Sequence, residues 1–478
     1  MTALKKQHER QIFETAGEAW RAEAWSLSKL AGPLILTALS QMAINTTDIV
    51  MIGWLGAEAL AAAVLAGHFY GLCLYFAMGV MAAVAPIVAQ ALGARKRRMV
   101  RRALRQGFWV ALALTLPLGL VVWQGEAVLL LFGQKPALAA DAEIYLRALV
   151  LGFFQTLCYV ALSHFLSAHS RPRAVLVVTL IAIPLNALGN YALIFGNFGL
   201  PRLELAGAGY SSAMTESFLF LSLLGFVLID RRFRRYHLLG RIWRPDWPRF
   251  REIFRIGLPI GLTHVSEIGL FLAAALLLGL IGTDELAGHA IALQCAAISY
   301  MVPLGLAQAC TVRVGLAVGR RDPGGVVRAA FSALCIGCSF MLLPALFFWF
   351  GSPLLVSWFL DLSDPENLAA AGFAVSFLAA AAIFQIADGG QALAAGALRG
   401  LKDTRGPMVI ALVGYWICGL GCAWWLGFGL ELGGIGVWYG LAAGLAFAFV
   451  AMLARLLLKI GARDLEGRWV FRPSLGAV

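Results

Sequence analysis

Charge is scarce in this chain. Only 13% of its 478 residues are Asp, Glu, Lys or Arg, against 60% hydrophobic ones, and mean hydropathy is +0.80. A soluble protein of this length could not cover so much apolar surface with so few charges. A polytopic membrane protein can, because lipid solvates its outside. Cysteine is also sparse: eight residues scattered through predicted helices make no disulfide framework. Cys335-Ile336-Gly337-Cys338 has redox spacing but lies in an apolar stretch without further ligands, so neither a metal nor a redox role is read from it. No P-loop G-x-x-x-x-G-K-[ST] occurs, which excludes a nucleotide-driven machine. No nucleophile–base pair or metal-ligand cluster stands out, so an enzyme is not expected and no cofactor is called for. A cleavable leader is also not expected. The segment through Arg21 is polar and amphipathic, leaving the first apolar span as the insertion signal.

A span needs about 20 apolar residues. Twelve stretches qualify, near 27–54, 60–92, 106–131, 143–168, 174–196, 206–229, 252–281, 287–315, 327–359, 370–398, 406–428 and 432–459. The expected fold is an all-α polytopic membrane protein. Its parts are a 1–26 segment, an N-lobe over 27–230, a basic linker over 231–251, a C-lobe over 252–460 and a 461–478 tail. Basic residues orient the stack. Arg95-Lys96-Arg97-Arg98 with Arg101, Arg102 and Arg105 follow span two. Arg231, Arg232, Arg234, Arg235, Arg241, Arg244, Arg249, Arg251 and Arg255 follow span six. The alternate loops carry acids such as Glu58, Asp141, Asp284, Glu285, Asp361 and Asp364. The positive-inside rule then puts both termini in the cytoplasm. These short cationic loops lack aromatic interleaving, so they read as topology anchors that touch anionic lipid, and no nucleic-acid partner is expected. Arg313 and Arg399, near helix ends, read as snorkelling anchors.

The two halves resemble each other. Pro33 pairs with Pro259, Gly56 with Gly282, Gly93 with Gly319 and Arg102-Ala103 with Arg328-Ala329, always 226 positions apart (259 minus 33, for example). Six spans per repeat bring both halves into the membrane from the same side. They are expected to be pseudo-symmetric lobes around a central cavity, with a ligand between them and access alternating by rocking. A channel would favour symmetric filters or rings, but the ionisable residues here differ between halves.

Three carboxylates, Asp48, Glu267 and Asp388, lie deep inside apolar spans. A charge there costs at least a few kcal/mol and by default marks a functional site. Gln41, Asn45 and Asp48 share one helical face, and Asn186 and Asn190 share another below Pro184. Packed together, they would surround one acid with neutral donors and acceptors. An acid in such a low-dielectric pocket can take up a proton and release it when water or a cation arrives. His264 and Glu267 are three apart in the seventh span; Gln385 and Asp388 are three apart in the tenth. Glu267 and Asp388 could together hold H⁺ or Na⁺, with oxygen ligands suited to a hard cation. Asn186 and Asn190 also fit plain interhelical bonding. The roles of His264 and Glu216 stay open.

At these residues the chain resembles the multidrug and toxic compound extrusion (MATE) family, in its bacterial NorM-type branch. Thr46-Thr47-Asp48-Ile49-Val50-Met51-Ile52-Gly53 is similar to a "D-x-x-M-x-G" segment, and Gly257-Leu258-Pro259-Ile260 leads to Glu267 as in "G-L-P-I…E". Phe384-Gln385-x-x-Asp388-x-x-Gln391, running on to Gly396-Ala397-Leu398-Arg399-Gly400-Leu401-Lys402-Asp403-Thr404, is the most specific match. The resemblance implies twelve helices in two six-helix lobes. It also implies export of cationic or amphipathic compounds from a bacterial inner membrane by a monomer, in exchange for H⁺ or Na⁺. Asp48 with Asn186 and Asn190 would form the N-lobe site; Glu267 and Asp388 would form the C-lobe cation site. A lipid-linked oligosaccharide flippase of the same broad fold is the alternative, but it would favour a cationic cavity, and the ionisable residues within these spans are mainly acidic.

Overall fold

The computed structural model describes residues 2–238, 240 and 243–461, with side chains from residue 17 onward. Arg241 of the basic loop and the tail from 462 lie outside the described residues. Among the described residues, twelve helices are long and apolar enough to cross a membrane: α1 (Gly17–Gly53), α2 (Ala57–Gly93), α3 (Arg97–Trp123), α4 (Pro136–Ala168), α5 (Pro172–Phe195), α6 (Glu204–Ile229), α7 (Trp247–Ile281), α8 (Thr283–Arg320), α9 (Pro323–Phe350), α10 (Pro365–Gly400), α11 (Arg405–Gly429) and α12 (Gly433–Gly461). No strand occurs among the described residues. Prolines open α4, α5 and α9 in their first turn, where the missing N–H costs nothing.

Two spans end well short of the sequence expectation, and the first, third and fourth begin before it, at Gly17, Arg97 and Pro136. The third span stops at Trp123, not near 131, because Gln124 leaves helical geometry and a short helix, Gly125–Leu131, follows. Its start is held by Glu126 N–H donating to Glu143 Oε2 at 3.0 Å. The ninth stops at Phe350, not near 359: Gly351 breaks the helix, and Ser352–Ser357 forms a separate turn opened by Pro353. In both places an apolar run continues past the break, which hydropathy alone does not reveal.

The chain packs as two compact units, one formed by Leu36–Val265 and the other by the residues before and after it. The divisions fall inside α1 and α7. In the first unit, small residues let backbones nearly touch: a Cβ on Gly79 of α2 would lie 2.5 Å from Gly261 Cα of α7. In the second unit a Cβ on Gly396 of α10 would meet the Ala307 carbonyl of α8 at 2.6 Å. That proximity lets Thr311 Oγ1 donate to the Gly396 carbonyl at 2.8 Å, which ties α8 to α10.

The internal repeat is visible turn by turn. Within two residues past the ends of α2, α4, α8 and α10 the chain turns through a residue in the left-handed region: Arg95 (φ 57°), Ser170 (φ 58°), Arg321 (φ 58°) and Lys402 (φ 60°). At each, the next N–H reaches back five residues: Lys96 to Ala91 O, Arg171 to Leu166 O, Asp322 to Ala317 O, Asp403 to Leu398 O. This bond pattern satisfies carbonyls that the helix end leaves unpaired. The first and third turns are 226 positions apart (321 minus 95), the offset seen in sequence. The residue types at the closing position are not preserved: Lys96 and Arg171 in the first repeat, Asp322 and Asp403 in the second.

Candidate functional site: two buried carboxylate centres

The Leu36–Val265 unit centres on Asp48 of α1, which is 7% exposed. Four residues separate Asn186 from Asn190 on α5, so both amides project from one face. Asn186 Nδ2 donates to Asp48 Oδ1 at 3.0 Å and Asn190 Nδ2 to the same oxygen at 2.6 Å. Ser212 of α6 donates to Asp48 Oδ2 at 2.9 Å. Both asparagines are fully buried, and Ser211 donates to the Asn186 carbonyl at 3.2 Å, fixing α5 against α6. The carboxylate therefore accepts three hydrogen bonds, and among the described residues no basic side chain pairs with it. Glu216, one turn beyond Ser212, lies near enough to Asp48 for the two charges to act on each other, and its Oε2 is buried without a hydrogen bond.

The remaining first-span polar residues are placed differently. Gln41 donates to Tyr159 OH at 3.4 Å, and Tyr159 in turn meets Thr179 at 3.0 Å. Asn45 sits on the same stripe as Asp48 but is exposed, and no hydrogen bond ties it to the carboxylate.

The other unit holds Glu267 of α7 and Asp388 of α10. Tyr300 of α8 donates to Glu267 Oε1 at 3.3 Å, and Gln391, one turn along α10, donates to Asp388 Oδ1 at 3.4 Å. Tyr415 of α11 donates to Gln391 Oε1 at 3.0 Å, which orients the amide. The charges of Glu267 and Asp388 act on each other, and both act on Tyr300 and Tyr415. Gln385 does not reach Asp388; it donates to Ser299 Oγ at 2.8 Å, leaving its own carbonyl oxygen unpaired. His264 is half-buried on α7 and belongs to the Leu36–Val265 unit. No group of three or more His, Cys, Asp or Glu with metal-holding geometry occurs among the described residues. A cation between Glu267 and Asp388 would have to complete its shell with tyrosine and amide oxygens.

Two expectations are corrected. Arg313 does not snorkel: its guanidinium pairs with both oxygens of Glu23 on α1, with Nε donating at 2.7 Å. Arg399 is half-buried, and its charge acts on Glu267 and Tyr300 instead of reaching for headgroups. The partners lie far away in sequence, so depth alone suggested the wrong environment.

A family model described as MatE matches residues 33–192 and 259–425. The chain belongs to the MatE family. Its two matched stretches begin at Pro33 and Pro259, the prolines that open the repeat. This MatE chain is 46% identical over 442 residues to a protein of Mesorhizobium japonicum named a probable multidrug resistance protein NorM, covering 92% of this chain and 95% of that one. A protein of the same name from Brucella suis is also 46% identical, over 438 residues, with 91% and 93% coverage. Among solved structures, a eukaryotic MATE transporter superposes with a TM-score of 0.83 at 20% identity, covering 92% of this chain and 96% of that one, which shows a shared fold. Within the MatE fold, the residues that the sequence reading missed are Ser212, Tyr300 and Tyr415. Each is a hydroxyl in an apolar helix, a residue type too common to stand out. Only their spacing from the carboxylates in three dimensions marks them.

Proposed function

We propose that this chain is a secondary active multidrug efflux antiporter that exports cationic or amphipathic organic compounds in exchange for H⁺ or Na⁺. The observation that carries the reading is Asp48, a carboxylate deep in a membrane span with three neutral donors and no permanent counter-cation. Such a group needs a mobile cation, and Asp48 can be neutralised in turn by the coupling ion and by a cationic substrate. Asp48 with Asn186, Asn190 and the flanking Gln41 and Asn45 forms the N-lobe centre. Glu267 and Asp388, with Tyr300, Gln391 and Tyr415 around them, form the C-lobe cation centre. The names of the curated relatives support multidrug substrates.

In this reading the lobes 27–230 and 252–460 rock about the 231–251 linker. The protein acts as a monomer in the bacterial inner membrane, with both termini cytoplasmic. It needs no cofactor, and surrounding lipid is its only macroscopic partner. Ion arrival must favour one conformation over the other, since a ligand without preference shifts nothing. The test is ethidium efflux from everted vesicles. Asp48→Asn, Glu267→Gln and Asp388→Asn should each abolish ion-driven efflux. Wild-type rates in all three would refute the antiport reading, and Na⁺ dependence at fixed pH would identify the coupling ion.

A further inference from the structure

The charge swap between the repeats has a consequence at one place. In the second repeat the closing acids are satisfied from within: Asp322 accepts from Gly325 N–H at 2.8 Å and pairs with Arg328, while Asp403 takes Arg455 and Lys459. In the first repeat the equivalent of Asp322 is Lys96, and the equivalent of Arg328 is Arg102, which pairs with Asp246 of the linker at 2.9 Å. Nothing acidic is left for the neighbours of Lys96. Beside them is a cavity of about 550 Å³ lined by Leu92, Arg95, Lys96, Arg97, Arg235 and Tyr236. Four of its six walls are cationic and none is acidic, and among the described residues none of the four forms an ion pair with an acid.

The cavity is held in shape. Arg235 Nε donates to the Arg232 carbonyl at 2.8 Å. Tyr236 is buried against Phe165, and its hydroxyl bonds His169 Nε2 at 3.0 Å. The positive end of α3, a 27-residue helix without an acid in its first turn, starts at Arg97 on the cavity wall and adds to the positive field. The four cations are exposed, so solvent screens much of their repulsion, and an anion with several oxygens entering the cavity could meet all of them at once.

We propose that this cavity is a binding site for a phosphate ester, supplied by the headgroup of an anionic phospholipid. Arginine forks and a lysine point charge suit phosphate oxygens. Leu92, on the last turn of α2, supplies an apolar wall where a glycerol backbone would leave the site for the bilayer.

The test uses the full chain purified in detergent, with thermal midpoint as readout and three probes: short-chain phosphatidylglycerol, short-chain phosphatidylcholine and inorganic phosphate. Phosphatidylglycerol should raise the midpoint at concentrations where phosphatidylcholine does nothing. In Lys96→Ala/Arg235→Ala the phosphatidylglycerol concentration needed should rise roughly 25-fold. The control Arg173→Ala/Arg251→Ala, which removes two exposed arginines outside the cavity, should respond like wild type. Arg95→Gln/Arg97→Gln provides the same comparison if the first pair fails to fold. Equal protection by inorganic phosphate and phosphatidylglycerol, lost in the cavity variant, would keep the phosphate site but refute the lipid as its source. An identical response from cavity and control variants would overturn the proposal, leaving only diffuse attraction.

Discussion

Asn190 donates to Asp48 Oδ1 across 2.6 Å, from a position one helical turn past Asn186, which donates to the same oxygen at 3.0 Å. One carboxylate oxygen thus takes two amides from α5 while the other takes Ser212 from α6. A hydrogen bond to a charged group contributes about 1.5–3 kcal/mol. Asn190→Ala should therefore slow ion-driven efflux by roughly tenfold or more. Ser212→Ala, which removes a hydroxyl with a second acceptor of its own in the Ala208 carbonyl, should cost less. Efflux rates at a fixed imposed gradient, compared with ethidium binding to the same variants, would separate loss of coupling from loss of substrate affinity.

Arg455 of α12 grips Asp403 with two hydrogen bonds, 2.9 and 3.0 Å, and Lys459 stands 3.6 Å away. The Asp403 side chain is only 6% exposed. Arg455→Ala should destabilise the protein by about 2–3 kcal/mol, because it leaves a nearly buried carboxylate with one distant cation. Asp403→Asn/Arg455→Ala should recover part of that loss. Thermal midpoints in detergent would test both, and equal destabilisation by the single and double variants would contradict the account.

His169 follows the last residue of α4 and lies outside the spans. Its Nδ1 is 2.8 Å from the Phe165 carbonyl, so that nitrogen carries the hydrogen and Nε2 accepts from Tyr236. Burial holds the ring below the usual histidine range, aided by the Arg235 charge and opposed by the bond to Phe165. A histidine kept neutral by folding contributes stability above its ordinary pKa of about 6.5. That stability is lost as pH falls below this value toward the folded-state pKa. The thermal midpoint should drop between pH 7 and pH 5, and His169→Phe should have a shallower slope over that interval. Identical slopes would show that His169 is not the group responsible.

Much of this arrangement was legible in the residues themselves. Asn186 and Asn190 stand at a four-residue spacing below a proline, and a lone Asp48 stands in an apolar run, so a joint centre could be read from helical periodicity. The span count was legible for the same reason. What could not be read was anything set by packing between distant segments. Arg313 meets Glu23, 290 positions away. Gln385, adjacent in the pattern to Asp388, turns instead to Ser299 of α8, whose side-chain hydroxyl accepts its amide. Asn45 has the correct phase on α1, yet phase fixes only a direction, and its side chain is exposed, with no bond to Asp48 among the described residues. The breaks at Gln124 and Gly351 were hidden by apolar residues on both sides.

The four left-handed helix ends hold a small thermodynamic reserve. None of Arg95, Ser170, Arg321 and Lys402 is glycine, and an L-residue in that conformation costs about 1–2 kcal/mol relative to a right-handed one. Three of the four are cations, placed where hydrophobic helices emerge. At three of these corners the backbone carries that cost together with a positive charge that a glycine would remove. Glycine at any one of them should therefore raise the thermal midpoint, because it adopts the same turn without that cost.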